Sequence, residues 1–264
     1  AGVWCARGVK ILNEAFRRQV LPDGAHIECN PSYHDWMRRV FEDWWRIGRT
    51  MPELGLAISA EGVRDMWNYT FAATRPNGQP CALHDGGGAH TGKRSPVWTK
   101  ARSRFLIEAG LADEMPPTTG FFPHAKQAFL RDSWAEDATY LTFDAAPFES
   151  AHWHAGRNSI QLHAHGRSLI VDPGSFTYEG SDPFQAYGTS TRAHSTINFN
   201  GWDQTWSTQN IHYRSAPGYD AVHSLYDGGY WKGAHRGGWC SPGHCDGFHA
   251  EHHRTLFWIH GRAI

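Results

Sequence analysis

The chain carries almost no net charge: 25 Lys and Arg stand against 26 Asp and Glu over 264 residues, a formal charge of −1. It therefore has no global field to draw in nucleic acid or an anionic membrane, and any anion must be bound locally. Long apolar runs are missing too. No stretch approaches the roughly 18 consecutive apolar residues of a membrane span, and the N-terminal region lacks the charged, apolar and small-residue succession of a secretory signal. Paired cysteine spacing is also absent. Cys5, Cys29, Cys81, Cys240 and Cys245 form an odd set without CxxC, which signals neither a disulfide framework nor a cysteine zinc knuckle. Disorder is excluded by an apolar content of 40%, and the length suits one large domain or two small ones.

Aromatic and imidazole groups are plentiful, with 13 Trp and 18 His. Indole faces suit the apolar faces of sugar rings, and imidazoles suit metals or proton transfer.

Helical periodicity comes first. Apolar positions Ile11, Leu12, Ala15, Phe16 and Val20 predict a helix from Val9 to Val20, stopped by Pro22-Asp23-Gly24. Asn30 as N-cap and Pro31 at the first helical position open a second, running to about Arg49. A third is expected over Pro52 to Ala73, and a fourth from Ser95 to Gly110 after a glycine-rich loop. Beyond Met115-Pro116-Pro117-Thr118-Thr119-Gly120 the period changes to two. Strands are expected at 128–131, 139–143, 159–164, 168–171, 196–199 and 254–260, an antiparallel β-domain of sandwich type. The boundary divides a helical unit, 1–114, from a β unit, 115–264. The chain begins almost inside a helix and finishes on a strand with little after it, so a piece of a longer protein, cut at both ends, is expected.

Two constellations carry chemistry. His152-Trp153-His154 precedes a strand, and in an extended segment both imidazoles would project to one side. Asp172 ends the next strand in Val171-Asp172-Pro173-Gly174, and His194 follows in Arg192-Ala193-His194-Ser195. Two or three neutral imidazoles and one carboxylate make a nitrogen and oxygen set suited to Zn²⁺. The other constellation is Asp23-Gly24-Ala25-His26-Ile27-Glu28-Cys29-Asn30-Pro31-Ser32-Tyr33-His34, where Tyr33 lies in the first turn of a helix, a place that favours anions.

Taken together, the DGAHIECNPSYH block and the later succession of HxH, GR-x-L-x-VDPG and R-A-H closely resemble the heparinase II/III-like family of polysaccharide lyases. The resemblance covers Leu21 to Gln204 and the tail from His253 to Ile264. It implies a partial α/α toroid followed by an antiparallel β-sandwich, in a periplasmic or secreted enzyme that breaks a uronate-containing acidic glycan by β-elimination. It assigns Tyr33 as acid, and in many members base as well, with His152 as base or carboxylate contact. His154, Asp172 and His194 become ligands of a mainly structural zinc ion. Glu28, His34, Trp153 and Arg192 are candidate substrate contacts, Arg192 as a bidentate partner for a sugar carboxylate.

The chain departs from the family pattern in three ways. The usual Asn or His that neutralises the uronate carboxylate would lie upstream of Ala1. Gly156 stands where many relatives have an acidic residue, and Ser195 where they have Asn. Two rival functions use the same residues: a zinc hydrolase, which leaves Tyr33 unemployed, and a non-catalytic glycan-binding protein. His84-Asp85 reads as a cleft-lining or solvated turn, Gly86-Gly87-Gly88 as too little for a phosphate loop, and Cys240, His244, Cys245, His249, His252 and His253 as a tail of metal-ligand types in no standard zinc spacing.

Overall fold

A computed structural model describes residues 2–86, 95–147, 152–207, 210–232 and 246–260, with only the backbone at 95–98. Helix α1 spans Gly2–Gln19, α2 Pro31–Thr50, α3 Ala60–Ala72 and α4 Ser95–Ala109. α2 starts where Asn30 and Pro31 predict it. The Asn30 side chain accepts from the backbone N–H groups of Ser32 (2.9 Å) and Tyr33 (3.3 Å), satisfying two donors that a helix start leaves unpaired.

The third expected helix is shorter than its periodicity. Pro52–Leu54 form one 3₁₀ turn that ends on Gly55 at φ 70°, and α3 begins only after Ser59, whose Oγ caps Gly62 N. The left-handed glycine turns the chain out of the helix, and a new cap has to restart it.

The strands are all antiparallel. β1 Gly120–Phe122, β2 Gln127–Arg131, β3 Tyr140–Asp144, β4 Ser159–Ala164 and β5 Arg167–Ile170 form a five-stranded meander in sequential order. His165 and Gly166, both at positive φ (53° and 72°), make the tight β4–β5 turn. A short helix, α5 Pro183–Gly188, precedes β6 Asp203–Gln204. A second sheet orders β7 Asn210–Ala216, β8 Tyr219–Tyr226 and β11 His252–Ile259 as β11-β8-β7. A third joins β6 to β9 Tyr230–Trp231 and β10 Gly247–Phe248.

The five-stranded sheet is a middle layer, so β2 and β3 are buried on both faces. Ala128, Leu130, Leu141 and Phe143 meet Ile211, Val222 and Trp258 of the second sheet. Phe129 and Tyr140, on the opposite face, meet Tyr69 and Ala72 of α3 and Ala73 just after it. A third cluster binds α2, α3 and α4 through Phe41, Trp45, Met66, Trp67, Phe105 and Leu106. Among the described residues no helix is long and apolar enough to cross a membrane.

Thr196 to Phe199 is a correction. It holds no strand, only an isolated bridge between Phe199 and Trp202, because the Thr196 hydroxyl bonds the Arg157 carbonyl (2.5 Å) and Arg254 holds the Ser195 carbonyl (2.6 Å). The segment is fastened by side chains rather than by a ladder.

Phe143 is fully buried between the two sheets. Phe143→Ala should cost about 3–5 kcal/mol, read as a lower urea midpoint with an unchanged slope.

Candidate active site and metal centre

The N-terminal turn of α2 and the His152-Trp153-His154 segment lie against each other. The Tyr33 ring stacks on the His152 ring at 4.3 Å between centroids and 18° between planes. His152 is at φ 68°, in the left-handed region, so the segment is not extended and its two imidazoles do not share a side. His152 turns to Tyr33 and Glu28, with Nδ1 3.2 Å from Glu28 Oε2. His154 turns instead to His194, Asp85 and the interior. Trp153 between them is half-buried.

His154, Asp172 and His194 are all buried, and one ligand atom from each falls within 4.8 Å of the others. Hydrogen bonds settle which atoms these are. His194 Nδ1 donates to the Ser190 carbonyl at 2.8 Å, which leaves Nε2 as a lone pair. His154 Nε2 lies 2.8 Å from Asp85 Oδ1, and with that carboxylate accepting its proton Nδ1 is the lone pair. Those two ring atoms face each other at 3.3 Å, and Asp172 Oδ2 lies 3.5 Å from His194 Nε2. Three lone-pair donors thus converge with no proton between them, an arrangement that fits a bound cation. Burial lowers the His194 pKa against the pull of Asp172, and it pushes the Asp172 carboxyl upward.

Gly156 has a physical reason. A Cβ there would lie 2.5 Å from His194 Cδ2 and 2.8 Å from Cγ, so only glycine lets that imidazole take its place. An acidic side chain at this position is incompatible with the His194 ring as it sits.

Other candidates fall unevenly. Glu28 joins the site through His152. Arg192 is exposed, on a 3₁₀ turn at Thr191–Ala193, with its guanidinium 5.6 Å from the centroid of the Tyr187 ring. His34 is a correction. It is 0% exposed, with Nδ1 accepting from His26 N (3.1 Å) and Nε2 donating to the Met66 carbonyl (2.8 Å), so neither ring atom is left for a sugar. Its work is to tie the loop before α2 to α3. His84 is another. Rather than a solvated turn it is 3% exposed, with Nδ1 accepting from His154 N (3.3 Å) and Nε2 3.4 Å from Asp144 Oδ2. Gly87, Gly88, Cys240, His244 and Cys245 lie outside the described residues. His252 is buried, while His253 is exposed and 3.2 Å from Glu251.

Sequence reasoning misses one participant and reads another only as a cleft-lining or solvated turn. Tyr178 places its hydroxyl 3.0 Å from that of Tyr33. Partial desolvation pushes the Tyr178 phenol above its ordinary pKa, helped by its bond to Tyr33 and the Asp85 charge. Asp85, beside His154, is the second. Burial works against its ionisation, but the hydrogen bond from His154 outweighs that and lowers its pKa.

Burial lowers the pKa of His34 to about 3 and of His26 to about 4. Unfolded imidazoles titrate near 6.5, so below that pH the unfolded chain binds protons that the folded chain refuses. Stability present above pH 6.5 should therefore fall toward pH 4 by about 1.4 kcal/mol per pH unit for each histidine. Denaturant midpoints across this window check it, and His34→Gln should remove about one proton from the slope; an unchanged slope contradicts a buried neutral His34. Gly156→Ala should weaken metal binding by displacing His194, which equilibrium dialysis against Zn²⁺ measures.

Residues 114–263 match the family described as Heparinase II/III-like, C-terminal, and residues 1–90 match Heparinase II/III N-terminus. A heparin-sulfate lyase of Bacteroides stercoris is 25% identical over 237 residues, covering 80% of this chain and 34% of the relative. One of Pedobacter heparinus is 20% identical over 214 residues, covering 74% and 32%. The chain thus spans about a third of the length of these relatives. The crystal structure of a heparan sulfate lyase from Pedobacter heparinus superposes with a TM-score of 0.73 at 17% identity, over 98% of this chain and 40% of that one. A structure of heparinase III gives 0.72 at 16% identity, over 98% and 42%. These last two likenesses are of fold. With the family match spanning more than half of its residues, the chain belongs to the heparinase II/III-like family.

Proposed function

We propose that the protein is a polysaccharide lyase that cleaves a uronate-containing acidic glycan, a glycosaminoglycan of the heparan sulfate class, by β-elimination. The observation that carries this reading is the stacked pair of Tyr33 and His152, a phenol at the start of α2 and an imidazole before β4 in direct contact. Residues 1–114 then form the last part of an α/α toroid and 115–264 an antiparallel β-sandwich, in a protein of the periplasm or the cell exterior.

Elimination from a uronate needs three things: donors to neutralise the sugar carboxylate, a base for the C5 proton and an acid for the departing glycosidic oxygen. Tyr33 as phenolate takes the C5 proton and hands it to the departing glycosidic oxygen, while the C5–H electron pair forms the C4–C5 double bond and the C4–O bond breaks. The Tyr178 hydroxyl, 3.0 Å from that of Tyr33, holds the Tyr33 phenol in place. Glu28 accepts the Nδ1 proton of His152 and leaves Nε2 to meet the substrate. Glu28, Trp153 and Arg192 supply contacts to the chain of sugars.

The metal in this reading is zinc. Tetrahedral zinc with bonds near 2.0–2.1 Å sets its ligand atoms about 3.3 Å apart. The spacings of 3.3 Å between His154 and His194 and 3.5 Å between His194 and Asp172 are close to that figure, while His154 and Asp172, within 4.8 Å, would have to draw together on a bound ion. When bound, the ion would supply a fixed positive centre that braces the cleft wall beside His152. Stoichiometric zinc that is lost in His154→Ala, and a melting temperature lowered by a chelator, are the expected results.

Full-length protein incubated with heparan sulfate, hyaluronan and alginate tests the reaction class. Elimination creates an ultraviolet-absorbing unsaturated uronate, a hydrolase yields reducing ends without it, and a binding module yields neither. Tyr33→Phe should lower kcat by at least about 100-fold, the scale of one general acid–base group, with the fold intact; an unaffected rate removes Tyr33 from the mechanism.

A further inference from the structure

We propose that Asp85 is a positioning residue that fixes the tautomer and ring orientation of His154 and thereby ties the metal centre to the Tyr33–His152 pair. The inference rests on the metal reading of His154, Asp172 and His194.

Asp85 comes from the helical half of the chain, in the corner Leu83–Gly86 that follows α3. The corner is built for contact. Its Leu83 carbonyl accepts from Gly86 N at 2.9 Å, and His84 adopts φ 57°. A Cβ on Gly86 would lie 2.6 Å from the Leu83 oxygen and 2.9 Å from Asn30 Oδ1. The same Asn30 atom caps the helix that carries Tyr33. One side of the corner is thus pressed on the base of α2.

The other side grips the histidine segment at three points. Asp85 N–H donates to the His152 carbonyl at 3.1 Å, His154 N–H donates to His84 Nδ1 at 3.3 Å, and Asp85 Oδ1 accepts from His154 Nε2 at 2.8 Å. Only the last bond involves the Asp85 side chain, and it does a specific task. A proton held on Nε2 leaves Nδ1 as the ligand atom facing His194 and Asp172. Without the acceptor the proton can move to Nδ1, and the ring is free to turn, which removes a metal donor. Through its N–H on the His152 carbonyl and its carboxylate on His154, Asp85 touches both halves of the site.

Titration of metal-free full-length protein with Zn²⁺, and the visible spectrum of the Co²⁺-loaded protein, test the role. Asp85→Ala should weaken Zn²⁺ binding about 10- to 100-fold, change the cobalt spectrum and lower kcat with little effect on KM. Asp85→Asn, which retains an accepting oxygen in the same shape, should recover part of the affinity; equal losses in both variants overturn a positioning role. An unchanged Zn²⁺ affinity and cobalt spectrum in Asp85→Ala, alongside lost metal in a His154→Ala control, overturns this inference and leaves the metal reading standing. Metal retained in His154→Ala overturns both.

Discussion

The site depends on a backbone turn that ordinary residues resist. His152 sits at φ 68° and His84 at φ 57°, conformations that cost a non-glycine residue on the order of 1–3 kcal/mol and persist only where surrounding bonds over-determine them. Here the two strained corners bond each other through the Asp85 N–H to the His152 carbonyl and the His154 N–H to His84 Nδ1. The exchange sends one imidazole to the phenol at the helix start and the other into the β layer. Had the segment been extended, both rings would have faced one way, and either the Tyr33 stack or the metal triad would have been lost.

The strain is supported at one end of the helix-facing side of the five-stranded sheet, where buried polar groups gather beside the apolar cluster of Phe129 and Tyr140. Asp144 is 2% exposed and accepts from Gln127 Nε2 (2.9 Å) and Ala146 N (3.2 Å), with His84 Nε2 at 3.4 Å. Gln127 in turn donates to the Cys29 carbonyl and accepts from Tyr69. Burial raises the Asp144 pKa, opposed by the charge of Arg157. Buried polar groups of this kind add little net stability when paired and cost a great deal when one partner is missing. Their value lies in direction: a hydrogen-bond seam admits one placement of the corner, whereas an apolar contact would accept several.

How far the sequence foretold this follows from where its side chains point. β2 and β3 were legible because their alternation separates two different cores, Ala128 and Leu130 on one side, Phe129 and Arg131 on the other. β8 was not, although its burial alternates at every residue, because Asp220 and Ser224 are among the residues turned inward and break the apolar pattern. His154, Asp172 and His194 could be gathered by motif alone, and the fold brings their donor atoms together. His34 misled because a histidine beside the tyrosine carries the same letters whether it faces a groove or a core. Tyr178 was hidden, and the role of Asp85 in its cleft-lining or solvated turn was too, for the opposite reason. Each sits in a glycine-rich stretch that reads as a turn, and only the fold shows that Tyr178 reaches Tyr33 and Asp85 reaches His154.

A structure of the full-length Tyr33→Phe protein with a bound uronate oligosaccharide tests the central claim most directly, that the phenol and imidazole share one substrate. The account predicts the C5 carbon of one uronate within about 3–3.5 Å of where the Tyr33 oxygen would stand, with the sugar also touching His152 Nε2. An ordered oligosaccharide lying away from both rings would contradict it.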